Sequence, residues 1–177
     1  MVKVVPFRPE FGDSVLELIL KIQREEFGIQ ISADQQPDLR EIPSFYQVDH
    51  GNFWVALSAD DQLVGTIALL DIGSSRAALR KMFVDRAHRG GESGVANRLL
   101  ETLVGWSSAR SIREIYLGTT SKFHAAHRFY EKNDFEEIAK AALPPAFPIM
   151  EVDTKFYRRT LHSDQPAPRD HEASSAF

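Results

Sequence analysis

Residues 82–96, MFVDRAHRGGESGVA, run into the periodic segment NRLLETLVGW and carry the strongest chemical suggestion in the chain. A β-branched, aromatic strand here delivers the backbone into a glycine-rich turn that opens an amphipathic helix, the arrangement by which bare amides hold an anion. Glycines at 90, 91 and 94 let the main chain approach a ligand with no Cβ in the way. Ser93 is placed to cap a helix whose N-terminus carries partial positive charge. A pyrophosphate suits such a turn; a tight strand-to-helix connection that binds nothing is the alternative. A Walker loop needs Gly-Lys-Ser/Thr after its spacer and a dinucleotide fingerprint needs Gly-x-Gly-x-x-Gly, and this turn has neither.

The second chemical feature is residues 126–135, AHRFYEKNDF, a short helix ending in a tyrosine-bearing turn. A neutral phenol is a proton donor with a pKa near 10, close to that of a thiol, although a tyrosine beside Phe129 on an apolar helical face also serves as packing. Glu25, Glu26, Asp71 and Asp85 are candidate general bases, each of which reads equally as a solvated carboxylate. Arg80 and Lys81 interrupt an otherwise apolar strand. They either face solvent or enter a cleft and pair with an acidic substrate group. His124 and His127 share a helical face at i, i+3, but no further ligand-type residues accompany them, so no metal site is expected.

These groups need elements to position them. Residues 2–7 read as a strand, followed by a Ser14/Glu17 capping box ahead of Val15, Leu18, Ile19 and Ile22 at helical spacing, with Gly28 as the stop. Pro37 starts a short helix over 39–42 that Pro43 ends or kinks. Strands follow at 52–56, 63–70 and 78–84, joined by the polar turns 59–62 and 73–75. After the helix that begins near Gly94 come a strand at 114–117, a helix at 122–133, a strand at 136–141, a proline-rich breaker at 144–148 and a last strand at 149–158. The order predicts a mixed α/β fold, its sheet antiparallel at one end and parallel where the crossover helix returns. Residues 1–161 form one domain, and the polar, aperiodic 162–177 read as a disordered tail. The alternating final strand KFYRRTL lies near an edge and offers pairing for a homodimer.

Bulk properties narrow the choices. A chain of 177 residues with 43% apolar and 26% charged side chains is an ordinary globular composition. With 21 basic against 25 acidic residues and a net charge of -4, it lacks a cationic footprint for nucleic acid. No cysteine is present, which rules out a thiol nucleophile, a disulfide framework and Cys-ligated metals. No apolar run has the length of a membrane span or signal sequence, so a cytoplasmic protein without membrane partners is expected.

Together the two motifs resemble the GNAT acyl-CoA N-acyltransferases, over roughly residues 2–161. Val84 closes the strand, Gly94-Val95-Ala96 supplies the Gly-x-Ala end of the family's loop, and Leu99 and Leu100 stand where the family has a leucine pair. The loop departs from the pattern: counting back from Gly94 puts Gly91 at the motif's first place, with Arg89 two residues earlier, as if two residues were inserted. Phe129-Tyr130-Glu131-Lys132-Asn133-Asp134-Phe135 matches the second signature, with Asp134 in place of the usual glycine, and Phe123 stands where many members carry an asparagine.

The resemblance implies a mostly antiparallel sheet of about seven strands flanked by about four helices, and acetyl-CoA as co-substrate without a metal. It places that co-substrate on Met82, Phe83 and Val84 of the strand, on Arg89, Gly90, Gly91, Glu92, Ser93, Gly94, Val95 and Ala96 of the loop and helix start, and on Phe123 and Ala126. It makes Tyr130 the donor that protonates the departing thiolate. A strand amide near Phe83 or Val84 would stabilise the oxyanion while an amine of a small molecule or protein attacks directly. Acceptor choice would fall to the first helices and the turns 72–75 and 143–148, with Phe27, Phe45, Tyr46, Trp54 and Phe147 as pocket or core aromatics. A non-catalytic acyl-CoA sensor of the same fold is the rival reading, and an α/β domain whose turn binds nothing is a second.

Overall fold

The computed structural model describes residues 1–90 and 94–162. Gly91, Glu92 and Ser93 lie outside the described residues, as does 163–177, nearly all of the expected tail. The elements are β1 (Lys3–Pro6), α1 (Gly12–Glu25), α2 (Ile42–Phe45), β2 (Asn52–Leu57), β3 (Leu63–Gly73), β4 (Arg76–Val84), α3 (Val95–Ala109), β5 (Glu114–Thr119), α4 (His124–Lys132), β6 (Glu136–Ile138) and β7 (Lys155–Thr160). The strands form one sheet in the order β1-β2-β3-β4-β5-β7-β6. All neighbours are antiparallel except β4 and β5, which the crossover through α3 makes parallel. This is the mixed α/β architecture the element order predicts.

Four local expectations are corrected. Ser14 does not cap α1: a 3₁₀ turn at Pro9–Phe11 leads straight into the helix, Phe11 takes the N-cap position, and Ser14 sits inside the first turn. Pro37 does open a helical turn, of 3₁₀ type over Pro37–Arg40, but Pro43 falls in the first turn of α2, where its missing N–H costs nothing, and so starts a helix that it was expected to end. The last strand begins only at Lys155, because 150–153 close a turn in which the Met150 N–H donates to Asp153 Oδ2 (2.9 Å) and the Asp153 N–H to the Met150 carbonyl (3.0 Å). Finally, β7 is not an edge: β5 flanks it on one side and β6 covers Phe156–Arg158 on the other, which fills the edge expected to be open for a homodimer.

Both faces of the sheet are covered, so β2 is buried along its whole length. One face packs against α3 and α4, with Leu99, Leu100 and Leu103 of α3 meeting Ile67, Leu69, Ala77, Leu79, Ile115 and Leu117. Gly65 lets α3 press this close, since a Cβ there would lie 3.0 Å from Leu99 Cδ1. The opposite face carries two separate clusters. Val15 and Ile19 of α1 with Ile42 and Tyr46 cover Phe53, Val55 and Ala68. Phe147 with Phe156 covers Ala78 and Tyr116. The interval between these clusters, on the α1 side of β4, is where Arg80 and Lys81 emerge. Among the described residues, no helix is long and apolar enough to cross a membrane.

Candidate active site

β4 is shaped by a bulge. Its register with β3 pairs Arg80 with Ala68 and Phe83 with Thr66, so Lys81 and Met82 together oppose the single residue Ile67. Lys81 takes a left-handed conformation (φ 53°), which costs a non-glycine residue about 1–2 kcal/mol. Two bonds hold it there: its carbonyl accepts from Thr66 Oγ1 (2.7 Å), and its ammonium donates to Gln36 Oε1 (2.9 Å) beside the Asp38 carboxylate (3.4 Å). Arg80 and Lys81 consequently both emerge on the α1 side. Lys81 is not a solvent-facing strand charge, with only 10% of its side chain exposed. Burial holds its ammonium below the usual lysine value, and Asp38 only partly offsets that. Asp38 also accepts from the Tyr46 hydroxyl (2.6 Å), while Gln36 and Gln23 exchange two amide bonds (2.9 and 3.2 Å).

β4 and β5 stay together only at Arg76/Glu114, Ala77/Ile115 and Ala78/Tyr116. Beyond that point they part, leaving the β5-facing edge of Leu79, Met82, Phe83 and Val84 without a strand beside it. On the α3/α4 face, Tyr130 packs in the same cluster as Leu79 and Leu117, the first residues past the fork. Its ring lies edge-on to Phe129 and Phe135, each at 5.5 Å. The Tyr130 hydroxyl bonds to no described residue. Tyr130 as a whole is buried, with 6% of its surface exposed. Burial raises the phenol's pKa above its ordinary value, which keeps the proton on at neutral pH. Asp134 closes α4 in the left-handed conformation (φ 67°), as its substitution for glycine requires, and the Phe135 N–H bonds back to the Tyr130 carbonyl (3.1 Å).

The glycine turn follows β4 through a 3₁₀ turn at Arg86–His88 to Gly90 (φ 66°). Gly94, left-handed at φ 54°, occupies the N-cap of α3. Among the described residues the first amide bonded at the start of the helix is that of Arg98, to the Gly94 carbonyl (2.9 Å), and those of Val95, Ala96 and Asn97 have no described acceptor. Beside them an open hollow of about 450 Å³ is lined by Asn97, Ala125, Arg128, Phe129, Lys132 and Asn133. Arg128 and Lys132, which the sequence reading did not single out, form no ion pair with a described carboxylate. Helix-start amides near two cations that have no described counterion are a fit for phosphate.

Other expected residues are already engaged. Arg89 donates from Nε to the Val84 carbonyl (2.8 Å) and grips Glu26 through both terminal nitrogens (2.5 Å each), so its guanidinium ties the loop to the end of α1. Phe123 stacks on Phe27 with centroids 4.0 Å apart, joining the segment after α1 to the start of α4, while Ala126 packs on the α3/α4 cluster. Of the proposed bases, Glu26 is held by Arg89, Asp71 by His50 and the Gly73 amide, and Asp85 by His88; Glu25 is exposed. His127 is a buried histidine bonded to the Thr120 carbonyl (2.9 Å). Among the aromatics, Trp54 packs in the core against Trp106, whereas Phe45 and Tyr46 lie beside Arg80.

One acidic residue absent from the sequence candidates stands at the fork. Asp153 lies over Gly118 of β5, where a Cβ would come within 2.6 Å of its Oδ2. Burial holds its carboxyl above the usual range, against the pull of the Met150 amide and of Arg80.

Comparison with known proteins agrees with this geometry. The pattern of the acetyltransferase (GNAT) family matches residues 16–135. A GNAT-family acetyltransferase from Staphylococcus aureus Mu50 is 37% identical and has the same fold, with a TM-score of 0.87 over 92% of this chain and 100% of that one. The PaiA N-acetyltransferase of Thermoplasma acidophilum, solved with coenzyme A, shares the fold at 16% identity and a TM-score of 0.69, over 91% and 99% of the two chains. The N-acetylaspartate synthetase of Danio rerio is 30% identical over 105 residues, 58% of this chain and 36% of that protein. The chain spans 36% to 58% of the length of the curated relatives it matches.

Proposed function

The chain belongs to the acetyltransferase (GNAT) family, and from that premise we infer that it moves an acetyl group from acetyl-CoA directly to a primary amine of a small molecule or protein. The observation that carries the reading is the parting of β4 and β5 beside Tyr130, whose hydroxyl bonds to no described residue. An extended arm fits between two strands only where their ladder has ended, and a protonated phenol beside that opening is placed to donate to a leaving group. Acetyl-CoA supplies the acetyl group activated as a thioester. Val95, Ala96 and Asn97 offer amides to its phosphates with Arg128 and Lys132 adding charge, the open edge of Met82 to Val84 takes the arm and aims an amide at the developing oxyanion, and Tyr130 gives its proton to the leaving sulfur. No side chain acts as a covalent nucleophile in this scheme. The binding of coenzyme A by the Thermoplasma relative supports the same ligand here.

The test incubates the full chain with acetyl-CoA and a panel of primary amines and follows free CoA thiol, while thermal unfolding is measured with and without CoA. Thiol release that requires an amine is expected, with CoA at about a hundred times its Kd stabilising the fold by about 2.7 kcal/mol. Absence of any CoA stabilisation would sink the reading, and saturable stabilisation with no thiol release under any amine would favour the sensor.

A further inference from the structure

The acceptor side of the fork is built from two groups that face each other without joining. Arg80 lies two residues past Ala78 and Gly118 two residues past Tyr116, the last register pair, so both stand on the α1 side just where the strands separate. Over Gly118, in space that any side chain would fill, sits the Asp153 carboxylate. Its Oδ2 accepts the Met150 amide, and its Oδ1 bonds to no described residue. Arg80 is close enough to Asp153 to stabilise its anion, yet the two form no ion pair, so a gap remains between guanidinium and carboxylate. The guanidinium has no carboxylate partner among the described residues. Its neighbours are the Phe45 and Tyr46 rings, each 5.9 Å away, and Met150 Sδ at 3.7 Å. Lys81, the next cation on this face, is already compensated by Asp38.

We propose that this gap is the acceptor site for a free monocarboxylate α-amino acid, whose carboxylate binds Arg80, whose ammonium meets Asp153 Oδ1, and whose uncharged side chain rests against the exposed Phe45 and Met150. A single uncompensated cation matches a single carboxylate, and apolar walls around it reject a second charge. Resting on the acetyl-transfer reading above, the assignment also makes Asp153 the general base. Asp153 takes one proton from the ammonium, the amine nitrogen bonds to the thioester carbonyl carbon, and the C–S bond breaks with its electron pair on sulfur, which receives the Tyr130 proton. The nitrogen loses a second proton as the amide forms. One of the two restores Tyr130 and the other leaves through Asp153 to solvent. Acid and base thus act from opposite faces of the sheet.

The test pairs L-leucine, L-methionine and L-phenylalanine with isoamylamine, 3-methylthiopropylamine and phenethylamine, the same molecules without the carboxylate. Turnover is followed by CoA release, and binding by calorimetry on the CoA-saturated protein. Each amino acid is expected to exceed its amine by about a hundredfold in kcat/KM. Arg80→Ala should raise KM for the amino acids tenfold or more and raise it far less for the amines, which share only the effect of Arg80 on Asp153, with Arg80→Lys restoring part of the loss. Asp153→Asn should lower kcat at least about tenfold for amino acids and amines alike, and should weaken acceptor binding because the ammonium loses its counterion. Equal use of acids and amines, an Arg80→Ala rise in KM as large for the amines as for the acids, or an unaltered kcat in Asp153→Asn would overturn the proposal. Amino acids that bind through Arg80 without any CoA release would support the site and overturn acetyl transfer instead.

Discussion

Replacing Tyr130 by phenylalanine is expected to lower kcat about a hundredfold while leaving CoA affinity nearly unchanged. The hydroxyl bonds to no described residue, so its removal breaks no bond seen in the ground state; the ring, edge-on to Phe129 and Phe135, keeps its packing. General acid catalysis contributes about 10²- to 10⁴-fold, and the low end applies here because burial, by raising the phenol's pKa, makes it a reluctant donor. The measurement is steady-state turnover beside CoA titration of the same variant. Unchanged turnover would remove Tyr130 from the chemistry, and a collapse of CoA affinity would make it a binding residue.

Asp38→Ala should destabilise the fold by about 3–5 kcal/mol, because it strands a buried cation. The Lys81 and Asp38 side chains are only 10% and 9% exposed, and Asp38 also receives the Tyr46 hydroxyl. Deleting the carboxylate therefore leaves both an unpaired ammonium and an unpaired phenol in a site with little water. At about 2–4 °C per kcal/mol for a chain of this size, the midpoint should fall by roughly 6–20 °C. Adding Lys81→Met to Asp38→Ala should recover much of the loss, since exchanging a whole buried pair for apolar groups is close to neutral. Chemical denaturation of the two variants beside the unaltered protein checks this; a loss under about 1 kcal/mol for Asp38→Ala would show that the pair is already hydrated.

The parts of this site that the sequence made legible are those encoded locally. The glycine turn, the β4–α3 connection and the Phe129–Phe135 signature each occupy one contiguous stretch, and periodicity places them on a strand end, a helix start and a helix end. Tyr130, Gly94 and the parallel β4–β5 pair were accessible for that reason. What stayed hidden is encoded by distance in the chain. The bulge at Lys81 has no marker in ALRKMF, because it depends on register with β3 and on the contact with Asp38, 43 residues earlier. Asp153 lies in a run of turn residues without period, and only the fold shows that it occupies the space above Gly118. Glu26 and Arg89 failed as independent candidates for a matching reason: each looks available alone, and they cancel each other once α1 meets the loop. Within the chemistry of one stretch, Asp134 was the readable exception to a family pattern, its short polar side chain tolerating the backbone that glycine usually supplies.

Separation of β4 from β5 also governs the order of events. On the proposed scheme the acetyl donor enters through the fork and the amine reaches it from the α1 side, so neither reactant blocks the other's route and both are present when the bond is made. Reciprocal plots of velocity against either reactant should therefore give intersecting lines, the mark of a ternary complex, and a single molecule joining amine to coenzyme would be gripped from both directions at once.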